Sequence, residues 1–244
     1  MGQSVSGRTS PEGNKITYPY PLSSAKKIKG WRRQEVAAAI GNKCLVQELA
    51  AALERGTRRN LRRPGLPIEL VTYIIRLAEC TIVNRRLTAW VKTPCLARAD
   101  SARAVQKLWF ETVTLTASEI SKISGIQLHT IGWTKHPNGP SCTWFEIVIL
   151  TQQQEDHDFV VKRRSDNTEF TWISHHNHVL SDGVEYRRGM MFTYLDEFFI
   201  HGLQEGDKIG VRVCAQYEGW QNFAVEGVLR VDEWFEPRSI NYDS

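Results

Sequence analysis

From Lys208 to Tyr217 the chain alternates with a period of two: Ile209, Val211, Val213, Ala215 and Tyr217 on one side, Lys208, Gly210, Arg212, Cys214 and Gln216 on the other. Successive side chains of an extended backbone point to opposite faces, so this pattern predicts a strand with one face against a core. A second run places Phe223, Val225, Gly227, Leu229 and Val231 together, with Ala224, Glu226, Val228 and Arg230 opposite. The residues from Glu218 to Asn222 join the two runs. So short a connection makes them an antiparallel hairpin. A lone hairpin is marginal in water and needs more strands to cover its apolar face.

Upstream segments supply such strands: residues 107–114, 126–131, 143–150, 159–162 and 169–174, with a turn through Asp166-Asn167. Short helices are expected from the capping-box spacing of Thr116 and Glu119, and again over 194–200 before Gly202. The expected fold is α+β. An antiparallel β-sandwich of jelly-roll type occupies 105–236, with Trp109, Trp144 and Trp172 packed between its sheets.

The segment before it has a different texture. Pro67 suits a first helical turn, and Glu69 lies where the positive end of the helix dipole favours a carboxylate. Leu66, Leu70, Val71, Ile74, Ile75, Leu77 and Ala78 cover most of the circumference, leaving a narrow polar stripe of Glu69, Thr72 or Tyr73, Arg76 and Glu79. A helix so apolar must be covered by its own domain or by a partner.

The run Leu66-Pro67-Ile68-Glu69-Leu70 resembles the opening of an F-box, the helical module that docks on the Skp adaptor of cullin-type ubiquitin ligases. The body also resembles a segment of uncharacterised fungal F-box-like proteins. The matching residues are Ile131-Gly132-Trp133, Trp144-Phe145-Glu146, Trp172-Ile173-Ser174 with Asn177, Gly206 to Ile209, and Ala215 to Asn222. The resemblance implies an F-box-like helical region over 65–104. It also implies contact with a Skp-type adaptor through Leu66, Pro67, Leu70, Ile74 and Ile75.

Charge divides the chain. Residues 1–63 hold 13 Lys and Arg against 4 Glu, a balance of +9, whereas the remainder carries 18 against 23, or −5. The first 33 residues read as a disordered basic tail, followed over 34–64 by a helix and a basic linker, with a short tail after 236. Gly2 and Ser6 fit the N-myristoylation pattern, and Lys26, Lys27, Lys29, Arg32 and Arg33 form a basic cluster. Acyl chain and basic cluster are the two signals that together hold a protein on an anionic membrane surface. The basic segments contain a single aromatic residue, Trp31, so no stacking platform for sequence-specific nucleic-acid binding is expected.

Five cysteines without a Cys-x-x-Cys pair, and no Asn-x-Ser/Thr acceptor, fit a protein of the reducing cytoplasm or nucleus. For target contact the candidates are Trp133, Trp220 and Asn222, expected in loops, where a rigid indole makes a good anchor for a protein or a glycan. His175-His176-Asn177-His178 supports a rival reading as a metal-dependent hydrolase. There His176 and His178 share a strand face, and Asp182, Glu185 or His201 supplies a third ligand. A Ser174, His178 and Asp182 triad lacks the supporting Gly-x-Ser-x-Gly turn. No cofactor, metal or catalytic residue is therefore expected. The reading is a non-enzymatic recruiting protein, with a membrane-tethered β-sandwich of no ubiquitin role as its rival.

Overall fold

The computed structural model describes residues 44–55, 65–135, 141–153, 159–177, 183–196 and 201–237. Gly2 and the basic cluster from Lys26 to Arg33 lie outside them, as do His178 and Asp182.

Residues 44–55 are helical (α1), and a second helix, α2, spans Ile68–Leu77. Val46, Ala50 and Leu53 of α1 pack with Val71 and Ile75 of α2, closed by Leu66, Ile68, Cys80, Ile82 and Phe235. The Leu66 N–H donates to the Leu53 carbonyl (3.1 Å), drawing the two helices into a hairpin. Gly65 makes that approach possible, since a Cβ there would lie 1.6 Å from the Glu54 carbonyl oxygen.

Three short strands follow directly: β1 (Thr81–Val83), β2 (Ala89–Val91) and β3 (Cys95–Arg98). The helical continuation expected over 65–104 is therefore corrected. Helix ends at Leu77, and 81–98 belongs to the β-domain. Three- and four-residue strands are too brief to display a period, so their sequence could not announce them.

The rest of the chain forms β4 (Val105–Glu111), β5 (Ile123–Lys135), β6 (Thr143–Gln152), β7 (Phe159–Val161), β8 (Thr171–His176), β9 (Glu185–Thr193), β10 (Lys208–Ala215) and β11 (Gln221–Trp234). Between β4 and β5 lies α3 (Ala117–Ile120), held by the expected capping box of Thr116 and Glu119. Asp166 and Asn167 turn the chain before β8: the Asp166 carboxylate accepts from the Thr168 N–H at 2.9 Å, and Asn167 takes φ 67°.

The strands form two antiparallel sheets, a β-sandwich. In the first sheet β11 pairs along one edge with β5, which in turn pairs with β9. Its other edge receives β3, β2 and β1 in succession. In the second, the order is β4-β10-β6, and the free edge of β6 is shared by β7 and β8. With β1 to β3 counted as one position and β7 with β8 as another, the sheets read 1-8-3-6 and 2-7-4-5.

Ile126, Leu128, Phe145, Ile147, Ile149, Ile209, Val211, Val213, Leu229 and Val231 fill the space between the sheets. Trp109 and Trp172 pack against this core, as expected. Trp144 does not. It lies on the opposite face of β6 from Phe145, its indole N–H donating to Glu146 at 2.7 Å. The expected hairpin of β10 and β11 is corrected: β10 pairs with β4 and β6, and β11 with β5, so the short connection crosses from one sheet to the other. The alternation of β11 is also corrected. A bulge between Ala224 and Glu226 inserts one residue, so Ala224 joins the core beside Leu229 and Val231 while Phe223 turns to the outer face and meets Trp133.

Candidate functional site

Helix α2 is apolar over a wide arc, and only part of that arc is covered. Val71 and Ile75 are wholly buried, whereas Leu70 is 49% exposed, Tyr73 61%, Ile74 37% and Leu77 67%. Spacing of i, i+3, i+4 and i+7 puts these four on one stripe, because a helix turns every 3.6 residues. Two more leucines, Leu45 and Leu49 of α1, are exposed as well. Full burial of such side chains by a partner contributes about 1.5–3 kcal/mol each.

The residues expected to touch an adaptor divide between the two sides. Pro67, Leu70 and Ile74 are exposed; Leu66 and Ile75 fasten the hairpin to the body. Tyr73 and Leu77 complete the exposed stripe. Of the two residues that could complete the polar stripe, Thr72 and Tyr73, the structure places Tyr73 with Leu70 and Leu77 on the exposed apolar stripe.

The candidate target residues are corrected by their burial. Trp220 is only 4% exposed and Asn222 is wholly buried, and Asn222 is in strand β11 rather than in a loop. Asn222 ties the sheets together. Its amide donates to the carbonyls of Trp144 (2.9 Å) and Cys214 (3.1 Å), and its oxygen accepts from Asn177 (2.9 Å). Asn177 also donates to Thr143, which donates to Thr134 of β5. Trp133 lies in β5, half-buried, its ring tilted against Phe223 with centroids 5.1 Å apart.

The histidine segment splits across strand β8. His175 points between the sheets, stacked on Phe145 at 4.9 Å, while His176 is exposed beside Trp144. Both ring nitrogens of His175 meet hydroxyls, Thr130 at 2.8 Å and Ser174 at 3.0 Å. Burial, with the nearby Arg187 charge, lowers its pKa to about 3. A neutral imidazole between two hydroxyls is a packed polar group, and Ser174 is itself buried, closed off by Gly189, where a Cβ would lie 2.0 Å from the Ser174 hydroxyl. Among the described residues no three His, Cys, Asp or Glu side chains converge as metal ligands.

On the outer face of the second sheet, Arg212 donates to Glu146 (2.8 Å) and to Glu169 (2.7 Å), with both Arg212 and Glu146 nearly inaccessible. Every guanidinium nitrogen of Arg212 has a carboxylate partner there. The cluster is saturated and braces β6, β10 and the turn before β8. No described helix is long and apolar enough to cross a membrane.

Neither a family model nor a curated protein matches the chain. Among solved structures it is similar to one described as infectious bursal disease virus Gx strain, with a TM-score of 0.35 and 12% identity over 66% of this chain and 34% of that one. It is similar also to one described as the Gt strain of that virus, with a TM-score of 0.33 and 10% identity over 66% and 35%. The chain spans about a third of the length of those chains.

Proposed function

We propose that this chain is a non-enzymatic recruiting protein of the cytoplasm. Helix α2 docks on a Skp-type adaptor of a cullin-type ubiquitin ligase. The β-sandwich, a jelly roll in its strand order, holds a protein or glycan target. The observation that carries the reading is the exposed stripe of Leu70, Tyr73, Ile74 and Leu77, beside the face that α2 buries. It stands on the Leu66-Pro67-Ile68-Glu69-Leu70 run that resembles an F-box opening. Contiguous exposed apolar surface of this kind marks an interaction site more often than an accident of packing. The mechanism is proximity: the chain brings a target beside transfer machinery carried by other subunits.

Because 81–98 forms strands, the docking face is limited to the helical hairpin, and α2 spans only about 15 Å. Such a contact is small and depends on its central apolar anchors. On the sandwich, Trp133 is only half-buried and is the residue to test for target contact.

The test is direct binding of purified full-length protein to a Skp-type adaptor by calorimetry. Leu70→Asp and Leu77→Asp should each abolish the signal while leaving the urea midpoint unchanged at concentrations where the chain is monomeric, because Leu70 is already half and Leu77 largely in water. No heat of binding with the unmodified chain would overturn the adaptor reading. Loss of binding accompanied by unfolding would show that the helix serves its own core.

A further inference from the structure

The stripe on α2 is complementary to itself, and its flanking charges are arranged for an antiparallel copy. Leu70 and Leu77 end the stripe, with Tyr73 and Ile74 between them. A two-fold axis through the middle of the stripe sets Leu70 of one helix against Leu77 of the other, and brings Tyr73 to Tyr73 along one edge and Ile74 to Ile74 along the other. A two-fold interface has this form, in which residue i meets j and j meets i.

Glu69 and Arg76 are seven residues apart and so lie along the same edge of the stripe. Rotation about that axis preserves the edge and reverses the direction. Glu69 of each copy then faces Arg76 of the other, giving two opposite-charge pairs by symmetry. In paired helices such flanking charges set orientation and partner choice. Among the described residues Arg76 reaches only Glu236, at 3.9 Å, and that carboxylate is already held by Lys122 at 2.7 Å. Arg76 therefore remains available to a second chain.

We propose that α2 pairs with α2 of a second copy in antiparallel orientation, so that the homodimer covers the docking stripe when no other partner is present. The pairing stands by itself. Its regulatory consequence, that self-association competes with recruitment, rests on the adaptor reading above.

Sedimentation equilibrium of the full chain tests the pairing. The unmodified protein should show a reversible monomer–dimer equilibrium. Leu77→Asp should leave only monomer. Glu69→Arg or Arg76→Glu alone replaces two attractions by two repulsions and should weaken the dimer by about tenfold. The double variant restores both pairs with reversed signs and should recover the unmodified affinity to within about threefold. A strictly monomeric unmodified chain would overturn the pairing. So would a double variant as weak as either single one, since that dimer would have another geometry.

Titrating a Skp-type adaptor into the dimer separates the two claims. Conversion to a complex with one copy of each chain supports competition. Adaptor bound to an intact dimer overturns competition. Failure of the adaptor to bind either form overturns recruitment and leaves the pairing as measured.

Discussion

The helical hairpin and the β-sandwich are both rich in large apolar side chains, yet they use them differently. In the sandwich two inner faces cover each other, and Phe145, Ile147, Leu128 and Leu229 retain no more than a trace of exposure. Among the described residues the hairpin has only the end of the body to lean on. It buries Val71 and Ile75 with Phe235 and leaves Leu70, Tyr73 and Leu77 in water. Apolar content alone does not measure burial. What matters is whether a second layer of structure stands opposite. A surplus on the unopposed side is where a partner gains most.

Substitutions can sharpen or break that contrast. Phe145→Ala should have the largest effect, about 3–5 kcal/mol by urea denaturation, because the cavity would open at the centre of the core. Next comes Arg212→Ala. It would strand Glu146 without its partner in a nearly inaccessible place, at a cost of about 3 kcal/mol on the same assay. If either were neutral, the sandwich would not be the stability centre of the molecule.

Acid should act on the sandwich before it acts on the hairpin. Burial lowers the pKa of His175 to about 3 and that of His129, flanked by Arg188 and Arg230, to about 4, from an ordinary 6.5. Below pH 6.5 the unfolded chain takes up protons that the folded chain refuses. Stability is therefore complete above that value and declines as pH falls toward the folded pKa values. The slope is at most about 1.4 kcal/mol per pH unit for each histidine. Urea midpoints measured from pH 7 to pH 4 would reveal it, and His175→Gln should flatten the curve. The smallest effect belongs to the hairpin. Leu70→Asp should change stability by less than about 0.5 kcal/mol, since its side chain is already half in water. Measured on the monomer, a larger loss would mean that the stripe is covered by the chain itself.

Several elements were legible before any coordinates. Strands β6, β10 and β11 and the Asp166-Asn167 turn follow from alternation and turn chemistry that act over a few residues, but which sheet each strand joins does not: β10 and β11 lie in different sheets. Strand β9 was missed because Arg187, Arg188 and Gly189 interrupt any apolar period. It holds its place through pairing with β5 and through the close approach of Gly189 to Ser174. Asn222 illustrates the opposite error. A polar residue next to Gly219 and Trp220 reads as a loop anchor, but its amide satisfies carbonyls on two strands of the other sheet.

By itself the sequence determined the strong strands, the short capped helix and the helical character of the segment around Leu70, since each depends on neighbours within a turn or two of backbone. Tertiary structure alone decided which side of α2 faces the body, where the bulge in β11 reverses its faces, and that three short strands share one edge. Those outcomes depend on what lies across the gap, and a partner distant in sequence leaves no local trace of its arrival.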